Sequence, residues 1–252
     1  MTQKKAIIIG ATSGIGLEMV KVLTSQGWQV GIAGRRQAVL QQIQSKNLDV
    51  VATECIDITQ EDAPQRLLRL IGKTGGMDLY FHSSGIGYQN PTLLMDEEMA
   101  TVATNVTGFT QMVGTAFHYF VEHPEQEAHL AVISSIAGTK GLGAAPAYSS
   151  SKRYIAHYME CLEQLSHIRH LHHIHLHDIR PGFVRTALLA DGHHYPVQLD
   201  PHQVAISIAK GIQRNRSVIT IDWRYKMFVF FWRWVPRWVW VRMKIVSGGN
   251  EA

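Results

Sequence analysis

A tyrosine and a lysine four residues apart, Tyr148 and Lys152, have the types and spacing that suit acid/base chemistry. The segment from about Ala147 to Ile168 has a helical pattern, so both side chains project from one face of a helix. A free tyrosine has a pKa near ~10, and a neighbouring cation lowers it until the phenol exchanges a proton more readily. Alone, such a pair is typical of a solvent-exposed helix, so further residues must support a function.

A glycine-rich turn near the amino end is a second candidate site. Gly10, Gly14 and Gly16 lie in the run Gly-Ala-Thr-Ser-Gly-Ile-Gly, between an apolar run at Ala6–Ile9 and a helical pattern at Gly16–Ser25. Glycines permit a tight turn, and the N–H groups of a helix N-terminus hold a pyrophosphate. Three glycines alone would indicate an ordinary strand-to-helix turn. The strand before them and the helix after them supply the context that a dinucleotide-binding motif requires.

The end of the second predicted strand, Trp28–Ala33, indicates which dinucleotide is bound. An NAD site usually places an acid there for the ribose 2′-hydroxyl, whereas an arginine accommodates the 2′-phosphate of NADP. Gly34 stands where the acid is expected, and Arg35 and Arg36 follow it. The alternative is that both arginines only solvate the start of the next helix. The missing acid and the added base together favour NADP.

Short apolar runs alternate with helical patterns along the chain, without an internal repeat or a low-complexity linker. The predicted strands are Ala6–Ile9, Trp28–Ala33, Val50–Cys55, Leu79–His82, Ala128–Ser134, Ile174–Ile179 and Val218–Ile221. The predicted helices are Gly16–Ser25, Val39–Ser45, Pro64–Ile71, Glu97–Val121, Ala147–Ile168 and Val204–Gln213. Such alternation requires crossover connections and a parallel sheet covered on both faces. We therefore predict an α/β fold with a doubly wound parallel sheet (a Rossmann fold), a single domain over residues 1–222, and an extension over residues 223–252.

Composition is typical of a globular domain. Hydrophobic residues make up 46% of the 252 and charged residues 17%, which is enough apolar surface for a core. The formal net charge of +4 is modest, so no nucleic-acid partner is predicted. The two cysteines, Cys55 and Cys161, lie in predicted regular elements, and a domain this large needs no disulfide. With no room for a secretory signal ahead of the first strand, we expect a reduced, cytoplasmic chain.

These motifs together resemble the short-chain dehydrogenase/reductase family over nearly all of residues 5–222. The further matches are a helix asparagine, Asn105, and a serine, Ser135, that precedes the tyrosine by the family's spacing of 13 residues. A Pro-Gly pair after the sixth strand also matches. In two places the chain departs from the family pattern. Ile9 replaces a threonine often found before the first glycine, and Ser83-Ser84-Gly85 replaces Asn-Ala-Gly.

The resemblance implies two sets of site residues. The catalytic set is Asn105, Ser135, Tyr148 and Lys152. The cofactor-binding set includes Asn105, Tyr148 and Lys152 again, together with Gly10, Ser13, Gly14, Ile15, Gly16, Arg35, Asp57, Ile58, Gly85, Pro181, Gly182 and Thr186. Within the second set, the acid at position 57 is implied to contact the adenine and the threonine at position 186 the carboxamide.

The function implied by the resemblance is hydride transfer between NADPH and a ketone or a secondary alcohol. Tyr148 exchanges the proton, Lys152 stabilises the phenolate and binds the nicotinamide ribose, Ser135 holds the carbonyl oxygen, and Asn105 anchors a water. A substrate lid is expected from about Ala187 to Leu199, and the assembly is expected to be a homodimer or homotetramer. The alternatives are an alcohol dehydrogenase in the oxidising direction and a non-catalytic NADP-binding sensor, against which the complete catalytic set argues.

Histidines crowd the region before and within the sixth predicted strand. They are His157, His167, His170, His172, His173, His175 and His177. Strand alternation places His175 and His177 on one side of the sheet. A metal site usually also shows carboxylate or cysteine ligands at a defined spacing, so we predict solvated or hydrogen-bonded histidines and no metal.

The C-terminal extension combines aromatic and basic residues. Nine aromatic residues lie in Trp223–Trp240, and six bases with no acid lie between Asp222 and Glu251. The uncharged run Met227–Trp232 is much too short to span a bilayer, which takes about twenty residues. Pro236 should divide the segment into two short helices. Peripheral membrane contact through residues 223–246, an oligomer interface and a cap on the substrate pocket all stay open. Some members of the family that act on lipids look similar at this end, which favours a lipophilic or lipid-linked substrate.

Overall fold

The computed structural model describes residues 3–186 and 198–243. Within them seven strands form one sheet in the order β3-β2-β1-β4-β5-β6-β7, and every neighbouring pair is parallel. The strands are β1 (Lys5–Ile9), β2 (Gln29–Gly34), β3 (Val50–Cys55), β4 (Leu79–His82), β5 (Ala128–Ile133), β6 (Ile174–Arg180) and β7 (Val218–Thr220). The predicted doubly wound parallel sheet is confirmed.

Helices cover both faces of this sheet. The helices of the described residues are α1 (Gly14–Ser25), α2 (Gln37–Ser45), α3 (Ala63–Thr74), α4 (Met95–Val102), α5 (Phe109–Glu122), α6 (Pro146–Ile168), α7 (Pro201–Gln213), α8 (Trp223–Trp234) and α9 (Arg237–Trp240). The segment predicted as one helix, Glu97–Val121, is continuous in direction, but a π-helical segment at Ala103–Gly108 joins α4 to α5. A short 3₁₀ turn, Ile136–Gly138, follows β5.

Alternation along the strands divides the core into two layers. On β4, Tyr80 faces the layer that contains α3, α5 and α6, whereas Leu79 and Phe81 face the layer that contains α1 and α7. All three side chains are fully buried, because helices cover both faces of a doubly wound parallel sheet. The continuous apolar runs in the sequence reflect this burial on both faces.

The strand order changes direction between β1 and β4, and the space outside the carboxyl ends of these two strands is called the crevice here. The chain runs outward from β1 to β3 and then crosses to β4 on the other side of β1. The amide of Ser83, just past β4, donates to the carbonyl of Ile9 over 2.9 Å, so the two strands stay paired to their carboxyl ends. Ligands of open α/β sheets bind at such a reversal, outside the carboxyl ends of the strands.

Histidines of β5 and β6 stack on one face of the sheet, near the amino ends of the strands. The ring of His129 lies 5.1 Å from that of His175 and 5.3 Å from that of His177. Nδ1 of His129 is 3.1 Å from Nε2 of His177, whose Nδ1 is 2.8 Å from the carbonyl oxygen of Arg216. His175 is hydrogen-bonded to the Glu127 carboxylate. The predicted hydrogen-bonded histidines are therefore present, and residues 3–186 and 198–243 contain no group of three or more ligands that could hold a metal ion.

Burial keeps two of these histidines neutral. Burial, with smaller effects from His177, His175 and Lys4, lowers the pKa of His129 to about 3. Burial likewise lowers the pKa of His177 to about 4, although the hydrogen bond of its ring to the carbonyl oxygen of Arg216 opposes this shift. Because the unfolded value is ~6.5, the unfolded chain binds more protons than the folded chain in acid. The free energy of unfolding is therefore unaffected by these two histidines above pH ~6.5, and it decreases as the pH falls from there toward 4.

Lowering the pH from 7 to 5 should reduce the free energy of unfolding by about 2 kcal/mol for each of these two histidines. Urea unfolding followed by circular dichroism at both pH values measures the change. His129→Gln removes one titrating group and should make the pH dependence shallower. His157→Gln, at an exposed position on α6, is the matched control. An unchanged pH dependence in His129→Gln would contradict the assignment of His129 as a buried neutral ring.

Candidate active site

The amino end of α6 is fixed to the turn that follows β5. The hydroxyl of Ser149 donates toward the carbonyl oxygens of Ala137 and Lys140, at 2.9 and 3.0 Å, and accepts from the amide of Leu142. A Cβ on Gly138 would lie 2.7 Å from the backbone of Lys152, so the 3₁₀ turn and α6 approach as closely as backbones allow. This packing brings the first two turns of α6 beside Ser135.

Ser135, Tyr148 and Gly87 meet at this place. Ser135 is buried, and its hydroxyl accepts from the amide of Ala137 over 3.0 Å and is hydrogen-bonded to Tyr148. The Tyr148 ring packs against Gly87, where an added Cβ would lie 2.3 Å from a ring carbon. Glycine at position 87 therefore leaves the space that the tyrosine ring occupies.

Lys152 lies beneath the tyrosine and is buried. Its ammonium donates to the carbonyl oxygen of Ile133 over 2.9 Å and lies 5.8 Å from the centre of the Tyr148 ring. Burial lowers the pKa of Lys152 to about 8, while the Asp178 carboxylate opposes the shift. At neutral pH the lysine therefore still carries its charge.

The pKa of Tyr148 differs from the value that the sequence predicts. Burial raises it above the ordinary value, and the hydrogen bond with Ser135 opposes this rise. The prediction that Lys152 lowers it is wrong for this structure, because the ammonium points to Ile133 and desolvation of the phenol dominates. Tyr148 is consequently a protonated phenol at neutral pH.

Asn105 lies in the π-helical segment, which turns its side chain inward. Its Oδ1 accepts from the amide of Ile86 over 2.9 Å, and its Nδ2 donates to the carbonyl of Ile86 and the hydroxyl of Ser151. A Cβ on Gly85 would lie 3.2 Å from Oδ1 of Asn105 and 3.5 Å from Nζ of Lys152. π-Helical bulges occur often at functional sites, because they re-aim a side chain without ending the helix.

His82 is a neighbour of this site that the sequence interpretation missed. Its Nδ1 lies 2.8 Å from the hydroxyl of Tyr80, and its ring meets Phe109 edge-on. Nε2 is buried without a hydrogen-bond partner among the described residues. Burial, together with the charge of Lys152, lowers the pKa of His82 to about 3, so it stays neutral. The available signal was a polar residue at the end of an otherwise apolar strand.

The glycine loop forms a cradle at the crevice between β1 and β4. Gly10 has a φ of +84°, and a Cβ there would lie 2.7 Å from the amide nitrogen of Ser84. A Cβ on Gly16 would lie 2.2 Å from the carbonyl oxygen of Gly10. Neither position accepts a side chain, and Ile15 beside them is buried. Ser13 precedes α1 in extended backbone, and its hydroxyl does not cap the amides at the start of the helix.

The two arginines after β2 lie differently. The guanidinium of Arg36 donates to the hydroxyls of Thr12 and Ser13 in the glycine loop, over 2.7 and 2.9 Å. Arg35 is exposed, and its carbonyl oxygen accepts from the thiol of Cys55. A Cβ on Gly34 would lie 3.1 Å from Thr12, so a carboxylate fits poorly there. The cradle and its arginines suit a dinucleotide, and Arg36 and Thr12 join the predicted set.

The remaining predicted cofactor residues surround the same crevice. Asp57 accepts from the amide and hydroxyl of Thr59, and Ile58 is buried beside it. Thr186 lies over the glycine loop, 3.2 Å from the position of a Cβ on Gly14. Pro181 accepts from the amide of Ile136 next to the serine. The structure thus brings the predicted site residues to one end of the sheet.

The predicted lid lies mostly outside the described residues. Of the segment 187–199, residues 187–197 fall in that gap. The chain on either side is paired: Leu199 donates to Phe183 over 2.8 Å, and Arg185 donates to Leu199 over 3.0 Å. The described residues on the two sides of the gap therefore lie next to each other.

A family model described as short chain dehydrogenase matches residues 4–194. The chain belongs to this family. The short-chain dehydrogenase shares 30% identity over 232 residues with an uncharacterized oxidoreductase of Myxococcus xanthus, covering 89% of each chain. It is also 27% identical to an uncharacterized oxidoreductase of Staphylococcus aureus, over 86% of this chain and 94% of the relative. The protein is thus an oxidoreductase of a family that binds NAD or NADP.

Solved structures share the fold. A short-chain type dehydrogenase/reductase from Mycobacterium marinum superimposes with a TM-score of 0.77 and 25% identity, covering 88% of this chain and 95% of that chain. An actinorhodin polyketide ketoreductase solved with NADPH gives a TM-score of 0.75 at 20% identity, covering 87% and 95%. The likeness of the ketoreductase concerns the fold alone.

Gly87→Ala should slow turnover by this dehydrogenase by at least about tenfold, because the methyl group displaces the Tyr148 ring from Ser135. The measurement is kcat together with the thermal unfolding midpoint. Gly114→Ala is the matched control, because a Cβ there meets nothing within 4 Å. Wild-type kcat in Gly87→Ala would mean that the ring position is not set by this contact.

Proposed function

We propose that the protein is an NADPH-dependent reductase that converts a ketone to a secondary alcohol. The observation that carries the proposal is the convergence of Ser135, Tyr148, Lys152 and Asn105 beside the glycine cradle. These side chains come from the turn after β5, from α6 and from the π-helical segment, so only the folded chain brings them together.

The side chains divide the reaction between them. When bound, the nicotinamide supplies the hydride to the carbonyl carbon. The Ser135 hydroxyl donates a hydrogen bond to the carbonyl oxygen, and the Tyr148 phenol donates its proton to the same oxygen as negative charge develops there. The charged ammonium of Lys152, 5.8 Å from the centre of the Tyr148 ring, would bind the nicotinamide ribose.

The protonated state of Tyr148 matches the form that ketone reduction requires. Reduction requires a phenol that holds its proton until charge develops on the substrate oxygen, and burial keeps Tyr148 in that form.

The loop environment supports NADP over NAD. Arg35 and Arg36 follow β2 at the place where the 2′-phosphate of NADP lies, and Arg36 already donates to the loop hydroxyls. Gly34 places no acid there. A lipophilic or lipid-linked ketone is the substrate class that we propose, since the aromatic helix α8 is joined to the segment after β6 by the contact between Tyr225 and Phe183.

Tyr148→Phe should reduce kcat for ketone reduction by about 100-fold or more, because general acid catalysis by a positioned group contributes roughly 10²–10⁴-fold. The affinity for NADPH should stay within about twofold of wild type, because only the phenol oxygen is lost. NADPH oxidation with a panel of ketones and fluorescence titration measure the two quantities. Tyr158→Phe, farther along α6, is the control. Near-normal kcat in Tyr148→Phe would remove the acid assignment.

Arg35→Ala and Arg36→Ala should each weaken NADPH binding much more than NADH binding, by about 1.5–3 kcal/mol where the guanidinium meets the 2′-phosphate. Titration of each variant with both cofactors gives the comparison. Arg214→Ala, at the far end of α7, should change neither affinity. Equal losses for NADPH and NADH would point to damage at the start of α2 and would contradict the NADP assignment.

A further inference from the structure

The geometry points to α8 and α9 as a docking surface for an anionic lipid bilayer that holds the active-site crevice at the bilayer surface. The surface, called the tail platform here, comprises residues 223–243. Among the described residues no helix is long and apolar enough to cross a membrane, so the contact is peripheral.

The tail platform exposes large aromatic side chains to water. Trp223 is 73% exposed, Trp234 76% and Trp238 67%. Phe228, Phe230 and Phe231 are each more than half exposed as well. A monomeric soluble protein seldom presents so many rings in one patch unless something covers them. Tryptophan beside cationic residues is typical of the headgroup region of a bilayer.

The charge of the tail platform selects an anionic partner. All its bases are exposed: Arg224, Lys226, Arg233, Arg237 and Arg242. Arg224 pairs with the Asp222 carboxylate over 2.7 Å, and the sequence contains no acid from position 223 to position 250. Lysine and arginine side chains reach phosphate groups while their stems and the neighbouring rings remain in the apolar layer.

A second copy of the same surface fits it poorly. A twofold interface sets identical patches face to face, so bases would oppose bases without an acid to separate them. Two short helices that carry both rings and bases instead suit a bilayer surface, where the bases contact lipid phosphates and the rings enter the hydrocarbon below them. The break at Pro236 lets α8 and α9 lie in that plane as separate pieces.

The tail platform is anchored to the segment that follows β6. Tyr225 is buried, with its hydroxyl 3.3 Å from the amide of Phe183 and its ring edge-on to the Phe183 ring. A Cβ on Gly182 would lie 2.2 Å from the Tyr225 ring. The start of α8 is thus fixed to the Pro-Gly segment of the cofactor crevice.

The far end of the tail platform is anchored to the loop between Ser135 and α6. Nε1 of Trp232 donates to the hydroxyl of Thr139, and Nε1 of Trp240 donates to the carbonyl of Gly141, both over 2.7 Å. Lys140 donates to the carbonyl of Val235 and lies 5.0 Å above the Trp240 ring. The platform therefore borders the active site on two sides, with its exposed rings outward.

This placement narrows the substrate to an amphiphilic ketone that resides in the bilayer and reaches the crevice from the membrane surface. That consequence rests on the proposed reductase function, whereas lipid binding itself does not. A ketone that reaches the crevice directly from the bilayer does not have to pass through water.

Co-sedimentation of the full chain with vesicles tests the tail platform. We expect binding to vesicles of phosphatidylcholine mixed with phosphatidylglycerol, at least about tenfold weaker binding to phosphatidylcholine alone, and weaker binding at high salt. Each of Lys226→Gln, Arg233→Gln and Arg237→Gln should weaken binding by roughly fivefold. Lys21→Gln, an exposed base on α1, is the control.

The aromatic contribution is tested with Phe231→Ser and Trp234→Ser, whose exposed side chains can change without opening the core. Both should weaken vesicle binding about tenfold or more, whereas Leu48→Ser, at a 96% exposed position elsewhere, should not. Wild-type protein that fails to sediment with anionic vesicles would overturn the inference. So would a dimer in gel filtration that Trp234→Ser converts to monomer while vesicle binding stays absent, since a second copy would then occupy the surface.

A catalytic variant separates this inference from the proposed function. Tyr148→Phe should bind anionic vesicles as wild type does, because the phenol oxygen lies outside the tail platform. Loss of vesicle binding with ketone reduction retained would overturn the docking surface alone. Vesicle binding without any ketone reduction by wild type would leave the docking surface standing and overturn the reductase function.

Discussion

The catalytic arrangement depends on the contact between the 3₁₀ turn and α6. Gly138 approaches the backbone of Lys152 to the point where a Cβ would lie 2.7 Å from it, and Ser149 bonds to the turn from the helix side. At this separation Tyr148 reaches Ser135, and Lys152 reaches the carbonyl at the end of β5. A larger residue at position 138 would lift α6 and move the acid and the cation together. One backbone contact therefore sets the geometry of groups that come from two elements.

Electrostatic balance around Lys152 is a second constraint. A buried ammonium is tolerated only where partners replace water. Ile133 supplies a carbonyl oxygen, and the buried Asp178 carboxylate, itself held by Arg180 and Ser134, raises the pKa against desolvation. Burial and the lysine charge together keep His82 neutral, which avoids a second positive charge in the same space. Of the two groups, Lys152 is therefore charged and His82 is neutral, and the charge lies near the Tyr148 ring.

The strands could be predicted from the sequence because burial on both faces leaves continuous apolar runs, and the site residues because their motifs are local. Other features depend on distant parts of the chain. The π-helical segment around Asn105 keeps helical periodicity, so no pattern reveals it. Arg36 contacts the glycine loop because of the turn that follows β2, and the conformation of this turn cannot be predicted from residue spacing. The raised pKa of Tyr148 follows from burial contributed by several elements, including Gly87, and the sequence shows only the lysine four residues away.

The contact between Gly182 and Tyr225 has a consequence for the order of folding. The ring of Tyr225 fills the space that a side chain at position 182 would take, and it lies 42 residues beyond Phe183, its hydrogen-bond partner. A chain emerging from the ribosome folds from its amino end, so strands β1 to β6 and the catalytic turn can assemble while α8 is still inside the exit tunnel. The wall of the crevice that Tyr225 forms is completed only after α8 has left the tunnel. The nascent chain would thus form most of its sheet before Tyr225 packs against the Pro-Gly segment.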